Sequence, residues 1–251
     1  MTKFVILTTQ RSGSTVLTRT LDEHPEIFSA GEMFLETNAG MHHPEWHFHS
    51  WGIVGKKQSR LNKVVNHVNL KLNAVKHIKA FYADSQGAKA KGFKLMYSHI
   101  KSAPFIWNYI KNNDVKVIVL IRENVFRMAL SRYKMNKSGV AHSNSGVALK
   151  KITVPVQSLL QETLRLEQVN KKIIDLSANT NRILIYYRDF NEWNILLQKT
   201  FAFLNVSTAA LPPVLKKVSA EDWREEIENY KEIETVFKTN HLEKYLDGQI
   251  V

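Results

Sequence analysis

The chain has 251 residues, 44% of them hydrophobic and 23% charged, as in a folded globular protein with a substantial core. It contains no cysteine, which excludes disulfides, thiolate nucleophiles and cysteine-bound metals, and no apolar run approaches the ~18 residues of a membrane span. Its 35 Lys and Arg residues outnumber its 23 Asp and Glu residues, and the net charge of +12 favours anionic ligands such as nucleotides or acidic glycans.

The first predicted elements are a strand, a turn and a helix. Residues 4–8 are apolar or β-branched, as in a strand buried on both faces, and helical spacing follows over residues 14–21. The turn residues are Arg11, Ser12, Gly13, Ser14 and Thr15. Free N–H groups at a helix start attract anions, and here hydroxyls and a glycine accompany them. This pattern predicts a phosphate site, although an ordinary strand–turn–helix crossover without a ligand remains open on these residues alone.

A nucleoside-triphosphate P-loop is the main competing interpretation of this turn. That motif requires a lysine after its second glycine and a glycine five positions before that one. Here Ser14 follows Gly13, and Thr8 occupies the position of the first glycine. The residues therefore favour a phosphate site that does not bind Mg-ATP.

Residues 10–15, QRSGST, resemble the 5′-phosphosulfate loop of sulfotransferases that use 3′-phosphoadenosine 5′-phosphosulfate (PAPS). Residues 31–34, GEMF, resemble the carboxylate segment of the bacterial trehalose-type (carbohydrate) branch of that family. The resemblance implies that residues 11–15 bind PAPS. It also implies that Glu32 is the general base and that Arg11 stabilises charge on the transferred group.

Residues 34–59 show no clean period and contain four histidines among aromatic residues. The histidines are His42, His43, His47 and His49. Imidazoles bind zinc, but this run lacks a convincing ligand spacing, so we predict no metal. A lid over the acceptor pocket suits the position after Glu32, because aromatic rings stack on sugar faces. A loop that packs its tryptophans on the domain is the alternative.

An amphipathic helix is predicted over residues 60–82 and a strand over residues 92–97. The strand resembles the G-F-K segment of the same sulfotransferases, in which the lysine side borders the acceptor. Lys94 and His99 are therefore secondary candidates for acceptor binding. A histidine at the edge of the core is the alternative for His99.

A short helix over residues 104–111 and a buried strand over residues 115–121 lead directly to Arg122, and Ser131 follows nine residues later. A guanidinium and a hydroxyl so placed suit a phosphate monoester. The resemblance implies that both bind the 3′-phosphate of PAPS, whereas a helix-capping salt-bridge cluster is the alternative for this segment alone. The branch commonly has Arg-Arg-Asp where this chain has Arg-Glu-Asn, which leaves the role of Glu123 open.

The remaining predicted elements follow in order. A mobile loop is predicted over residues 137–153, a helix over 155–177 with Leu164 among its core residues, and a strand over 183–187. Asp189 or Asn191 is predicted to cap a helix that runs to residue 204, and residues 186–190 are interpreted as structural. A last helix is predicted to end at residue 246. In the resembling family, a basic loop just upstream of this closing segment covers the nucleotide. The resemblance therefore makes Lys216 and Lys217 candidates for binding the 3′-phosphate.

These observations predict a single α/β domain over residues 1–251, a P-loop-like open parallel sheet flanked by helices on both faces. The resemblance implies metal-free, in-line transfer of a sulfuryl group from PAPS to a hydroxyl of a saccharide or glycolipid, which leaves 3′-phosphoadenosine 5′-phosphate (PAP). A P-loop kinase of a small molecule and a non-catalytic polyanion-binding protein are the alternatives. We expect a cytoplasmic protein without a nucleic-acid partner, and peripheral membrane contact and a homodimer remain open.

Overall fold

The computed structural model describes residues 1–37, 41–49, 60–138, 151–215 and 222–246. Its five strands form one sheet in the order β2-β3-β1-β4-β5, and every neighbouring pair is parallel. The strands are β1 (Thr2–Thr8), β2 (Ile27–Glu32), β3 (Ala90–Met96), β4 (Lys116–Ile121) and β5 (Arg182–Tyr186). The eight helices described are α1 (Ser14–Asp22), α2 (Arg60–Ala83), α3 (Tyr97–Ser102), α4 (Pro104–Asn112), α5 (Val125–Ser138), α6 (Val156–Ser177), α7 (Trp193–Leu204) and α8 (Tyr230–Thr239).

Alternate residues of the central strands pack on opposite faces of the sheet. Val5 and Leu7 of β1 pack in one core cluster with residues of α2, α4 and α6. Phe4 and Ile6 of the same strand pack in another cluster with residues of α1 and α7. A sheet covered on both sides requires apolar residues at successive positions, which is the pattern that predicted the strands. This arrangement confirms the predicted fold class.

Some sequence-based expectations about the elements are wrong, and one strand was not predicted. β2 was not predicted as a strand; its six residues include a glycine and a β-bulge between Ser29 and Glu32, so the apolar run is short. Residues 187–192 form a 3₁₀ turn before α7, and Asp189 accepts a hydrogen bond from the Tyr186 N–H at 2.8 Å instead of capping that helix. Leu164 lies on the outer face of α6 and is 39% exposed.

The last helix is also shorter than predicted, because α8 ends at Thr239. His241 has a left-handed φ of 57°. The N–H of Leu242 donates to the carbonyl of Phe237 at 2.9 Å, and that of His241 donates to Lys238 at 3.0 Å. This is the hydrogen-bond pattern of a Schellman C-cap, and within the described residues, which end at 246, a short 3₁₀ turn, Glu243–Tyr245, follows it.

The predicted lid and mobile loop are described only in part. Phe34 and Phe48 are buried in the core cluster against α2 and α4, as expected for a segment that packs on the domain. Residues 38–40, 50–59 and 139–150 lie outside the described residues, so a lid and a mobile loop stay predictions. None of the described helices is both long enough and apolar enough to cross a membrane.

Candidate functional site

All five strands end at the same edge of the sheet, and the predicted site residues follow those ends. In open parallel sheets, ligands bind at the carboxyl ends of the strands. The loop of residues 9–13 follows β1, Glu32 ends β2, and Arg122 follows β4. The topology therefore brings together residues from three separate parts of the sequence.

The loop between β1 and α1 is held in an unusual backbone conformation. Arg11 and Gly13 have φ values of 66° and 88°, both in the left-handed region. Gly13 is the N-cap of α1, provides no side-chain cap, and is followed by no acidic residue in the first turn. The first N–H groups of α1 and its helix dipole therefore suit an anion, as the sequence predicted.

Gly13 is required here for space as well as for backbone conformation. A Cβ at this position would lie 2.9 Å from Cε2 of Tyr187 and 3.1 Å from Cε2 of Phe190. These rings come from the 3₁₀ turn after β5 and form one wall of the loop. The sequence pattern of residues 186–190 indicated only a structural role and did not predict this contact. Their position at a strand end was the signal that could have placed them beside the site.

The hydroxyls of the loop have different surroundings. Ser12 is fully buried, and its Oγ lies 2.6 Å from Thr8 Oγ1 and 2.9 Å from the carbonyl oxygen of Thr9. That hydroxyl hydrogen-bonds within the loop, so Ser12 is suited to contact an anion through its main-chain N–H. Ser14 is also buried, and Thr15 accepts a hydrogen bond from Lys94 Nζ at 3.3 Å.

The loop is connected directly to Arg122 and Ser131. Arg11 Nε donates to Ser131 Oγ at 2.9 Å, and Arg122 Nη1 donates to the carbonyl oxygen of Arg11 at 2.9 Å. The face of the Tyr187 ring lies 4.4 Å from the Arg122 guanidinium carbon. Asn170 of α6 donates to the Arg122 carbonyl at 2.9 Å, which fixes the backbone at the end of β4.

This cluster of guanidinium groups is partly buried and cationic. Burial lowers the pKa of Arg122, and the charges of Arg127 and Arg11 act in the same direction. Burial likewise lowers the pKa of Arg11. Among the residues that the structure describes, Arg122 Nε is buried without a hydrogen-bond partner. An anion bound beside Arg122 would offset the desolvation of these charges and offer an acceptor to this donor.

Glu123, whose role the sequence left open, holds the turn after β5. Its Oε2 accepts a hydrogen bond from the Tyr187 N–H at 3.1 Å, and its Oε1 lies 3.4 Å from Arg188 Nε. The carboxylate therefore ties the end of β4 to the residue whose ring covers Arg122.

Glu32 and Lys94 form an ion pair on neighbouring strands. Lys94 Nζ lies 2.8 Å from Glu32 Oε1, and the two residues are register partners in β2 and β3. Gly31 has a φ of 76° within the β-bulge that precedes Glu32. Because Lys94 also donates to Thr15, one ammonium connects the carboxylate to the first turn of α1.

His99 lies beside this ion pair in α3. Its pKa is lowered to about 4, chiefly by burial; the charge of Glu32 opposes the shift and that of Lys94 contributes to it. The ring is 7% exposed and lies edge-on to Phe34, with 6.2 Å between ring centroids. These contacts suit the core-edge alternative, and at neutral pH the imidazole is uncharged.

The structure thus brings together most of the predicted site residues. They are Arg11, Ser12, Gly13, Ser14, Thr15, Glu32, Lys94, His99, Arg122 and Ser131. Lys216 and Lys217 lie outside the described residues.

Comparisons with known proteins identify the family. A model described as "Sulfotransferase family" matches residues 4–207. The sulfotransferase domain of the Synechococcus PCC 7002 olefin synthase is 16% identical, with a TM-score of 0.54 over 90% of this chain and 82% of that one. The sulfotransferase domain from the curacin biosynthetic pathway is also 16% identical, with a TM-score of 0.53 over 86% of this chain and 79% of that one.

A sulfotransferase from Alicyclobacillus acidocaldarius is 15% identical, with a TM-score of 0.49 over 98% of this chain and 96% of that one. No curated protein sequence matches. At these identities the two structures with TM-scores above 0.5 show a shared fold, and the family model, which covers most of the chain, carries the assignment. The chain therefore belongs to the sulfotransferase family.

Proposed function

We propose that this sulfotransferase uses PAPS as its sulfuryl donor and transfers the group to a hydroxyl of a saccharide or glycolipid. The observation that carries the proposal is the pair of contacts joining the first loop to the second anion-binding segment. Arg11 bonds to Ser131, and Arg122 bonds to the Arg11 backbone, each at 2.9 Å. A donor with phosphates at both its 3′ and 5′ positions requires two adjacent anion sites of this kind.

The residues at the two sites suit that donor. The 5′-phosphosulfate would be bound by main-chain N–H groups of residues 13–15, the hydroxyls of Ser14 and Thr15, and Arg11. The 3′-phosphate would be bound by Arg122 and Ser131, and an oxygen beside Arg122 would offer an acceptor to its partnerless buried Nε. Lys216 and Lys217 are proposed to reach the same phosphate.

The proposed chemistry uses Glu32 and the cationic groups around it. The acceptor oxygen forms a bond to sulfur while the bond between sulfur and the phosphate oxygen breaks, and that oxygen keeps the electron pair. Glu32 takes the proton of the acceptor hydroxyl, and its contact with Lys94 at 2.8 Å positions the carboxylate beside the first turn of α1. Arg11 and the α1 N–H groups stabilise negative charge on the leaving oxygen and the sulfuryl oxygens.

The acceptor class rests on the resemblance of residues 31–34 and 92–96 to the trehalose-type branch, and the metal-free mechanism rests on the family resemblance. Lys94 and His99 lie next to Glu32, where an acceptor hydroxyl would have to bind. Family membership favours sulfuryl transfer over the small-molecule kinase alternative. The net charge of +12 would suit a non-catalytic polyanion-binding protein equally well.

The test measures transfer of ³⁵S from labelled PAPS to a panel of saccharides and glycolipids, with PAP binding measured separately. Glu32→Gln should abolish transfer while PAP still binds, and Glu36→Gln, an exposed neighbour in sequence, is the matched control. Arg122→Ala should weaken PAP binding, whereas Arg165→Ala, on α6, should not. Near-normal transfer by Glu32→Gln would remove the base assignment, and PAP binding without transfer to any hydroxyl would favour the binding-protein alternative.

A further inference from the structure

Two histidines of the segment 41–49 converge on the last residue of α1. The Nε2 atoms of His42 and His43 each lie 2.8 Å from Oδ2 of Asp22. Together the three side chains offer ligand atoms that all lie within 4.8 Å of one another. The cluster lies at the C-terminal end of α1, and the phosphate loop lies at its N-terminal end. With the rise per residue of an α-helix, these two ends are about 12 Å apart.

The other polar atoms of His43 and Asp22 are held by further contacts. His43 Nδ1 lies 3.1 Å from Glu45 Oε1, and Asp22 Oδ1 accepts a hydrogen bond from the Ser29 N–H at 2.7 Å. The His43 ring also packs on Phe28, with 4.4 Å between ring centroids. A carboxylate on the second nitrogen of a histidine and a hydrogen bond to a ligating carboxylate are the usual supports of metal ligands.

His43 lies between two carboxylates, those of Asp22 and Glu45. Neither Glu45 nor Asp22 has a proton to give when ionised, so a neutral imidazole can satisfy only one of them. When Nδ1–H donates to Glu45, the lone pair of Nε2 faces a carboxylate oxygen. A metal ion bound to Nε2 removes this repulsion. His42 brings a second Nε2 to the same oxygen, and a metal ion satisfies all three ligand atoms at once.

We propose that Asp22, His42 and His43 bind a divalent transition-metal ion of the Zn²⁺ type, with water completing the coordination. Imidazole nitrogen selects such ions over Mg²⁺ and Ca²⁺, which prefer oxygen ligands. Ligand bonds of about 2.0–2.1 Å in a tetrahedron place ligand atoms about 3.3 Å apart, so the atoms now at 2.8 Å must separate slightly. The His42 side chain is 41% exposed and has room to move.

The site lies outside the sulfuryl-transfer centre and does not depend on the proposed reaction. A bound ion would join segment 41–49 to α1. Trp46 and Phe48 of that segment pack in or against the core cluster, so the ion would reinforce the attachment of residues that follow Glu32 in the chain. No metal was predicted because the histidine run lacks a convincing ligand spacing; the third proposed ligand, Asp22, lies twenty residues before His42.

The test titrates ZnCl₂ into metal-stripped protein that carries no polyhistidine tag, by isothermal calorimetry, and follows the thermal unfolding midpoint. Wild type should bind one Zn²⁺ per chain and unfold at a higher temperature with Zn²⁺. His43→Ala and Asp22→Asn should each weaken binding at least tenfold and abolish the thermal shift. Asp22→Asn keeps an oxygen that can accept the hydrogen bond from the Ser29 N–H. Loss of Zn²⁺ binding in this variant would therefore reflect the missing ligand and not a disturbed fold.

His49→Ala is the matched control, because this exposed histidine belongs to the same segment and lies outside the cluster. It should bind Zn²⁺ as wild type does. Absence of saturable Zn²⁺ binding in wild type would overturn the proposal and leave ordinary histidine–carboxylate salt bridges. Wild-type binding by His43→Ala and Asp22→Asn, or loss of binding in His49→Ala alone, would also overturn it, since the ion would then bind elsewhere.

Discussion

Replacement of Gly13 by alanine tests how tightly the phosphate loop is constrained. The alanine would have to adopt the backbone φ of 88° that Gly13 has. Its Cβ would lie 2.9 Å from Cε2 of Tyr187 and 3.1 Å from Cε2 of Phe190. A left-handed backbone costs an L-residue about 1–2 kcal/mol, and overpacking adds about 1–3 kcal/mol. Gly13→Ala should therefore lower the free energy of unfolding by about 2–5 kcal/mol.

Gly87→Ala separates the two contributions. Gly87 has a similar φ of 79°, but a Cβ there would meet nothing within 4 Å. This control should lose only the backbone contribution of about 1–2 kcal/mol. Urea denaturation of both variants measures the difference, and PAP binding by Gly13→Ala should also fall because the rings that line the loop must move. Equal destabilisation by the two substitutions would refute the argument that Tyr187 and Phe190 confine the loop.

Three further predictions concern the residues around the loop. Lys94→Met should lower the free energy of unfolding by roughly 3 kcal/mol, because it leaves Glu32 without its ion-pair partner. Unchanged stability in urea denaturation would contradict this prediction. Ser131→Ala should weaken PAP binding about tenfold through loss of a hydrogen bond to a charged phosphate, and unchanged affinity in calorimetry would remove Ser131 from the site. The pKa of His99 is about 4 in the folded protein, below its value in the unfolded chain. As the pH decreases, the unfolded chain therefore binds the proton first. The free energy of unfolding should fall by up to about 3 kcal/mol between pH 6.5 and pH 4. His99→Gln should flatten that part of the stability–pH profile, and an unaltered slope would argue against a buried neutral imidazole.

The elements that the sequence predicted well are those with strong local patterns. β1, β4 and β5 contain short apolar runs because the sheet is covered on both faces, and α2 and α6 have regular helical spacing. β3 is interrupted by Lys91, Gly92 and Lys94 and was identified from its resemblance to the G-F-K segment. β2 lacked such a run, and its pairing with β3 is a long-range contact that one strand's sequence does not encode. The end of α8 depends on a left-handed His241, a conformation for which glycine would have been the usual signal.

The site could be predicted only where a motif identified it. The loop of residues 10–15 and the pair Arg122 and Ser131 resembled known segments, and the structure brings them into hydrogen-bonding distance. Tyr187 lies in residues 186–190, which were interpreted as structural, and Asp22 belongs to no motif. Tyr187 reaches the loop because β5 ends at the same edge of the sheet, and Asp22 meets the histidines through the folded path of the chain. Juxtapositions of this kind follow from topology.

We propose that the two anion sites bind a nucleotide with phosphates at its 3′ and 5′ positions. The most direct test compares the thermal unfolding of the protein with PAP and with ATP, each with and without Mg²⁺. A ligand at 100 times its Kd stabilises a protein by about 2.7 kcal/mol, which corresponds to a shift of about 5–10 °C for a chain of this size. We predict a shift of this order with PAP that does not require Mg²⁺, and a smaller one with ATP. A larger, Mg²⁺-dependent shift with ATP, or no shift with PAP, would contradict the account.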